Sequence, residues 1–181
     1  MSSRRLKEGL IRVINRCKGG RVLARIMQIF LVSVGHKMPG WVTQGYQEYA
    51  RRLPRECELV LKEVAPGKRS KSSSIERVIA EEGDKMTAKI PVGAHRVALD
   101  LKGRPWSTKE LAGALSRWQS LGQNIALLVG GPDGLAEPVL ASANESWCLS
   151  NLTFPHPLVR VVVAEQIYRA WSLSRNHPYH R

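Results

Sequence analysis

"IALLVGGPDGL", residues 125–135, is a continuous apolar run that stops at two glycines, a proline and a third glycine. A short apolar run bounded by such breakers reads as a strand buried on both faces, as strands of parallel sheets are. The bare loop at its end first suggests a phosphate cradle. A P-loop carries Gly-Lys-Ser or Gly-Lys-Thr, whose lysine reaches phosphate and whose hydroxyl reaches magnesium, whereas Gly131 here is followed by Pro132 and Asp133. A dinucleotide fingerprint spaces three glycines so that helix N-terminal amides face a pyrophosphate. Gly130, Gly131 and Gly134 have a different spacing, and Asp133 adds negative charge. The loop is either a plain tight turn or a contact for a ligand without phosphate.

Outward from this stretch, apolar runs of strand length alternate with segments of helical period, the pattern of an α/β fold with helices on both faces of a parallel sheet. Strands are expected at 28–34, 57–64, 96–101, 125–130 and 146–150. Helices fill the gaps: Trp41 to Leu53, residues 74–90, and a third after Ser107, which forms a capping box with Glu110. A short fourth follows Pro132 with Asp133 as its cap. The last spans 157–173, with Pro157 in the first turn, where a missing amide hydrogen costs nothing. The polar, basic segment 65–74 predicts a mobile loop. Its cations Lys68, Arg69 and Lys71 belong to a solvated linker or meet a phosphate backbone.

A chain of 181 residues fits one domain. Its net charge of +13 points to an acidic partner such as nucleic acid or an anionic membrane surface. The charge is uneven: residues 1–26 hold eight Lys or Arg against one acid, +7, which leaves +6 for residues 27–181. This basic N-terminal extension reads as an RNA-gripping arm, an Arg-rich targeting peptide, or sequence upstream of a start at Met27. The last is favoured, because "MQIFLVSVG" enters a buried strand at once. Domain residues are thus 27–181. Cys17, Cys57 and Cys148 are odd in number and widely spaced, so neither a disulfide framework nor a cysteine zinc site is indicated, and a cytoplasmic setting fits. No run approaches the length of a membrane span.

Ligands of open parallel sheets collect outside the carboxyl ends of the strands. Three such ends stand out, "LDLKGRPW" (99–106), "LVGGPDGL" (128–135) and "LSNLTFPHPLVR" (149–160), and prolines stiffen all three. Their convergence favours a pocket over three unrelated turns. His156 and Arg160 share a helix face, and Arg169, nine residues beyond Arg160, lies on the opposite one. Glu165 and Arg169 make an ordinary i, i+4 pair. The tail "RNHPYHR" has two histidines, but nothing completes a metal set and Pro178 discourages helix, so no metal is expected. RNA contact fits better, with Tyr179 stacking on a base and Arg175, His180 and Arg181 meeting phosphates.

The segments "VGHKMPGW" (34–41), "LDLKGRPW", "LVGGPDGL", "LTFPHPLVRVVVAEQIYRAW" (152–171) and "NHPYHR" (176–181) resemble the ribosomal large-subunit methyltransferase H family of SPOUT methyltransferases. The resemblance runs from Met27 to the C-terminus. It implies an α/β fold with a C-terminal trefoil knot, a homodimer, S-adenosylmethionine as methyl donor, and methylation at N3 of a pseudouridine in large-subunit ribosomal RNA. By carry-over, Leu99 and Asp100 line one side of the donor site, Gly130 and Gly131 another, and Ser150, Asn151, Leu152, Thr153, Phe154 and Pro155 the third. Such a donor has a sulfonium and no phosphate, which suits the glycine loop.

The N3 proton of a uracil-type ring must leave, and a nearby cation or hydrogen-bond donor favours the anion. His156, Arg160 and Arg169 are the candidates beside the last loop and along the last helix. His180 is the residue expected nearest the acceptor, in a dimer at the partner's pocket. The last helix is apolar nearly all round, which suggests a subunit interface. The modest +6 of the body suggests a folded ribosomal particle as substrate, not free RNA. The reading from a different class is a non-catalytic RNA-binding or ribosome-associated factor. A nucleotide-dependent oxidoreductase is disfavoured by the missing fingerprint.

Overall fold

The computed structural model describes residues 26–70 and 73–180, with the side chain of His180 set aside. The expectations for the extension up to residue 25, with Cys17, and those for Lys71 and Arg181, lie outside the described residues. Five strands form one sheet: β1 (Met27–Val34), β2 (Cys57–Val64), β3 (His95–Pro105), β4 (Ile125–Val129) and β5 (Glu145–Cys148). All neighbours are parallel, in the order β2-β1-β4-β3-β5. Between them run α1 (Gly40–Ala50), α2 (Ile75–Thr87), α3 (Thr108–Leu121) and α4 (Glu137–Ala141), followed by α5 (His156–Ser174) and a 3-10 turn, Pro178–His180.

The continuous apolar runs are explained by two cores, one on each face. Ile29 and Leu31 of β1, with Ile125, Leu127 and Val129 of β4, pack under α1, α3 and α5. The alternate residues Phe30, Val32, Val34, Ala126 and Leu128 pack under α2 and α4. Alternation along a strand sends successive side chains to opposite faces, so a strand covered on both sides must be apolar throughout. α3 shows the one-sided counterpart: Leu111, Leu115 and Trp118, spaced as one helical stripe, are buried, and the expected Ser107–Glu110 capping box forms.

Two elements differ from expectation. β3 runs to Pro105 because its ladder with β5 is broken: Trp147 pairs with both Leu99 and Arg104, and residues 100–103 bulge out between them. The strand returns so close to β5 that a Cβ on Gly103 would lie 2.7 Å from Ser146 Oγ and 2.8 Å from the Trp147 carbonyl carbon. The fourth helix starts later than Pro132. Its N-cap is Ala136, with no side-chain cap. Asp133 is unavailable as a cap because its carboxylate accepts from Arg69, 3.0 Å from Nε and 2.9 Å from an outer guanidinium nitrogen. Arg69 is therefore no free cation of a solvated linker.

The start of α5 is fixed to the end of β1. Arg160, 1% exposed, donates to the Gly35 carbonyl at 2.8 Å, to the Val34 carbonyl at 3.3 Å and to Glu63 Oε1 at 2.7 Å. His156 Nε2 donates to the same Val34 carbonyl. The chain can turn here because residue 35 is glycine: its φ is +109°, and a Cβ would stand 3.2 Å from the Arg160 guanidinium and 3.3 Å from His156 Nε2. Burial lowers the pKa of His156 below the ordinary histidine value; the Val34 carbonyl opposes this and the charge of Arg160 adds to it.

Arg160→Met strips carbonyl acceptors of their charged donor and is expected to lower stability by about 3 kcal/mol, read from urea unfolding. Arg160→Lys, lacking the planar fork, recovers only part of the loss. Because the folded-state pKa of His156 lies below its unfolded value, its neutral form favours folding above about pH 6.5, and that contribution is lost as pH falls further. The melting temperature of His156→Gln should accordingly depend less on pH than wild type between about pH 7 and 5; parallel curves would contradict it.

Candidate active site

The carboxyl ends of β3, β4 and β5 open onto one cavity of about 700 Å³, within the usual range for small-molecule sites. Three segments wall it. β3 supplies Leu99 and, from the bulge within it, Asp100, Leu101 and Lys102; the glycine loop supplies Gly130 to Gly134; the segment after β5 supplies Leu149, Ser150, Leu152, Thr153 and Phe154. His156 and Val159 add the first turn of α5. The structure thus brings together Leu99, Asp100, Gly130, Gly131, Ser150, Leu152, Thr153 and Phe154, as the convergence of three strand ends requires. Asn151 and Pro155 belong to the same segment but not to the wall; Pro155 is the N-cap of α5.

Local hydrogen bonds hold each wall. Asp100 Oδ1 accepts from the Lys102 amide at 2.8 Å, which closes the bulge. Ser150 Oγ accepts from the Leu152 amide at 2.9 Å. In the glycine loop, the Gly134 amide donates to the Gly131 carbonyl at 3.0 Å, and Gly134 has φ +93°. The loop folds back so tightly that a Cβ on Gly130 would lie 2.3 Å from the Gly134 carbonyl oxygen. Glycine is needed there by the fold of the loop itself, before any ligand is considered.

The wall is largely apolar, with two carboxylates, Asp100 and Asp133, and one ammonium, that of Lys102. Leu99, Val129, Leu149, Phe154 and Val159 offer flat apolar surface, and the glycine loop offers exposed backbone groups. This chemistry suits an uncharged ring system carrying a cationic centre better than a polyphosphate. Among the described residues no three His, Cys, Asp or Glu gather where a metal ion could be held, and no helix is long and apolar enough to cross a membrane.

The proposed catalytic side chains separate. His156 lines the cavity; with its Nε2 hydrogen on Val34, the neutral ring keeps Nδ1 as an acceptor. Arg160 shares the His156 face but points to β1 and β2 and does not line the cavity. Arg169 is elsewhere again. Its Nε donates to Glu165 at 2.8 Å, and its guanidinium lies over the Tyr179 ring, 5.1 Å from the centroid.

The tail is packed against its own chain. Tyr179 donates to Glu165 Oε1 at 3.1 Å and its ring centroid is 4.7 Å from that of Tyr168. The Tyr179 ring is half-buried, with Tyr168 and Arg169 against it. Arg175 is exposed at the end of α5, and His180 closes the 3-10 turn. The tail folds back along α5 to the level of Glu165 and Tyr168, about 14–18 Å of helix rise from His156 at the cavity.

Sequence reasoning missed Leu101, Lys102 and Val159 as wall residues, although the strand-end rule that found their neighbours applies to them. It also missed Glu82, whose only sequence signal is a charge on an otherwise amphipathic helix.

Comparison with known proteins bears on this arrangement. A family model described as "Predicted SPOUT methyltransferase" matches residues 27–180. A curated protein from Methylococcus capsulatus, "Ribosomal RNA large subunit methyltransferase H", is 61% identical over 155 residues, which cover 86% of this chain and 100% of that protein. A solved structure of a probable methylase family protein from Haemophilus influenzae Rd KW20 is 12% identical, with a TM-score of 0.49, over 83% of this chain and 68% of that chain. The parallel α/β sheet and the match along residues 27–180 place the chain in the SPOUT methyltransferase family.

Proposed function

We propose that this protein transfers a methyl group from S-adenosylmethionine to N3 of a pseudouridine in the RNA of the large ribosomal subunit, acting on the assembled subunit or ribosome. The observation that carries the reading is the cavity at the carboxyl ends of β3, β4 and β5, apolar with carboxylates and without an anion-binding lysine in its glycine loop. The name of the Methylococcus capsulatus relative supports ribosomal RNA as the substrate.

When bound, the donor supplies an electrophilic methyl on a sulfonium. The residues that would hold it are Leu99, Val129 and Phe154 against the ring, backbone groups of Gly130 and Gly131 at its edge, and Asp100 near its positive charge. Methyl transfer by in-line displacement gains chiefly from alignment and exclusion of water, which rigid apolar walls provide. The acceptor must also lose its N3 proton. Nδ1 of His156 is the proton acceptor we assign to this step, in the wall beside the carboxylates of Asp100 and Asp133; Arg160 acts at one remove, by fixing the backbone to which His156 is bonded.

The active form is proposed to be a homodimer with the chain's C-terminal part knotted. Support for the dimer comes from α5, where Leu158 and Val162 remain half-buried on a helix whose Val163 and Ile167 are fully buried. Trp41, 56% exposed, and Leu152, 70% exposed, add apolar surface. In such a dimer His180 would serve an acceptor at the cavity of the second copy. Arg175, Tyr179 and Arg181 would then serve RNA from that side, with Tyr179 first leaving its aromatic neighbours.

Two measurements test this. Calorimetric titration should show one S-adenosylmethionine site per chain and none for NAD; a flat donor titration favours a non-catalytic RNA-binding factor. Mass spectrometry of nucleosides from large-subunit RNA of a deletion strain should show loss of one methylated pseudouridine and its return on complementation, and an unchanged nucleoside profile would refute the reaction.

A further inference from the structure

One cation reaches the cavity wall from a segment remote in sequence. Arg69 lies in the loop between β2 and α2 and bonds to Asp133 at the tip of the glycine loop, 64 residues away. Its remaining nitrogen, Nη1, donates to Oε1 of Glu82 in α2 at 2.8 Å, and Nη2 is shared between Asp133 and Glu82 Oε2, 3.3 Å away. Glu82 is only 3% exposed. A buried carboxylate needs partners to remain charged, and here the Gly67 amide, at 2.8 Å, and Arg69 supply them.

Two consequences follow from this order of commitments. The buried end, on Glu82, fixes where the guanidinium stands. The outer end, between Arg69 and Asp133, is one-third exposed on both sides, so solvent screens it and it adds little to global stability. Its effect is on position: the planar fork dictates where Oδ2 of Asp133, and with it the loop tip, can lie. The glycine loop rests directly on the pair. A Cβ on Gly131 would stand 2.7 Å from Glu82 Oε2 and 3.2 Å from the nearer Arg69 nitrogen.

We propose that Arg69 is a positioning residue for the donor pocket, transmitting the fixed position of the buried Glu82 to the glycine loop through Asp133. It rests on the reading of the cavity as the S-adenosylmethionine site. Arg69 itself need not touch the donor. Arg69, in a loop of basic composition, serves here as a brace within the protein.

The test is a double-mutant cycle on the full chain, with S-adenosylmethionine affinity read by calorimetry and folding read by thermal melting. Asp133→Ala leaves the Arg69–Glu82 pair intact, so its melting temperature should stay near wild type while donor affinity falls about tenfold. Asp133→Glu, which keeps a carboxylate in reach, should restore most of that affinity. Arg69→Gln should weaken binding similarly, and the double variant no further, since both act through one bond. Donor binding to Asp133→Ala as tight as to wild type overturns the proposal, as does full additivity in the double variant, which would mean that Asp133 acts on the donor by itself. Should Arg69→Gln fail to fold, Arg69→Lys, which keeps the charge but not the planar fork, takes its place in the cycle. No donor binding to wild type would instead sink the reading of the cavity, and this inference with it.

Discussion

Covering a parallel sheet on both faces dictates most of this structure. β1 and β4 lie inside the sheet and between two helical layers, so all their side chains but Gln28 and Ser33 are apolar, which leaves little room for polar chemistry on their length. Polar function is pushed to the strand ends. There the backbone leaves the ladder and must find other partners, and it does so in the Asp100–Lys102 turn, the Gly131–Gly134 bond and the carbonyls of Val34 and Gly35. The cavity is where the exits of β3, β4 and β5 meet.

The two charges that are nearly or fully buried, Glu82 and Arg160, share a logic. Each is buried at the carboxyl edge, each takes backbone partners as well as an opposite charge, and each ties a segment early in the chain to one late in it. Arg160 joins β1 to α5. Glu82, through Arg69, joins α2 to the loop after β4. A mobile rim around an apolar cavity would fit nothing well, and these ties are the means by which the rim is held.

Much of this was legible in the residues. The five strands follow from uninterrupted runs such as "IALLV", and α3 from its capping box and stripe, because local patterning and tertiary burial agree there. The cavity followed from topology alone: once the sheet is parallel, strand ends must cluster. What sequence could not give were pairings between distant charges. Arg69 sits in a run of Lys, Arg and Ser that reads as solvated, and only folding sets it between Glu82 and Asp133. Asp133 was misread as a helix cap for the same reason. The bulge at 100–103 was hidden because a strand's departure and return leave no mark beyond the single Gly103. Nothing in "NHPYHR" reveals that Tyr168 and Arg169 pack against Tyr179.

α5 also acts as a ruler. Its first turn borders the cavity and the tail rests on Glu165 and Tyr168 farther along it, so the helix keeps the two apart within any one molecule. If both ends serve the same chemistry, each working centre is assembled from halves belonging to different molecules. Chains crippled at opposite ends would then complement each other when mixed, one in each pair of centres being whole, whereas chains crippled at the same end never could.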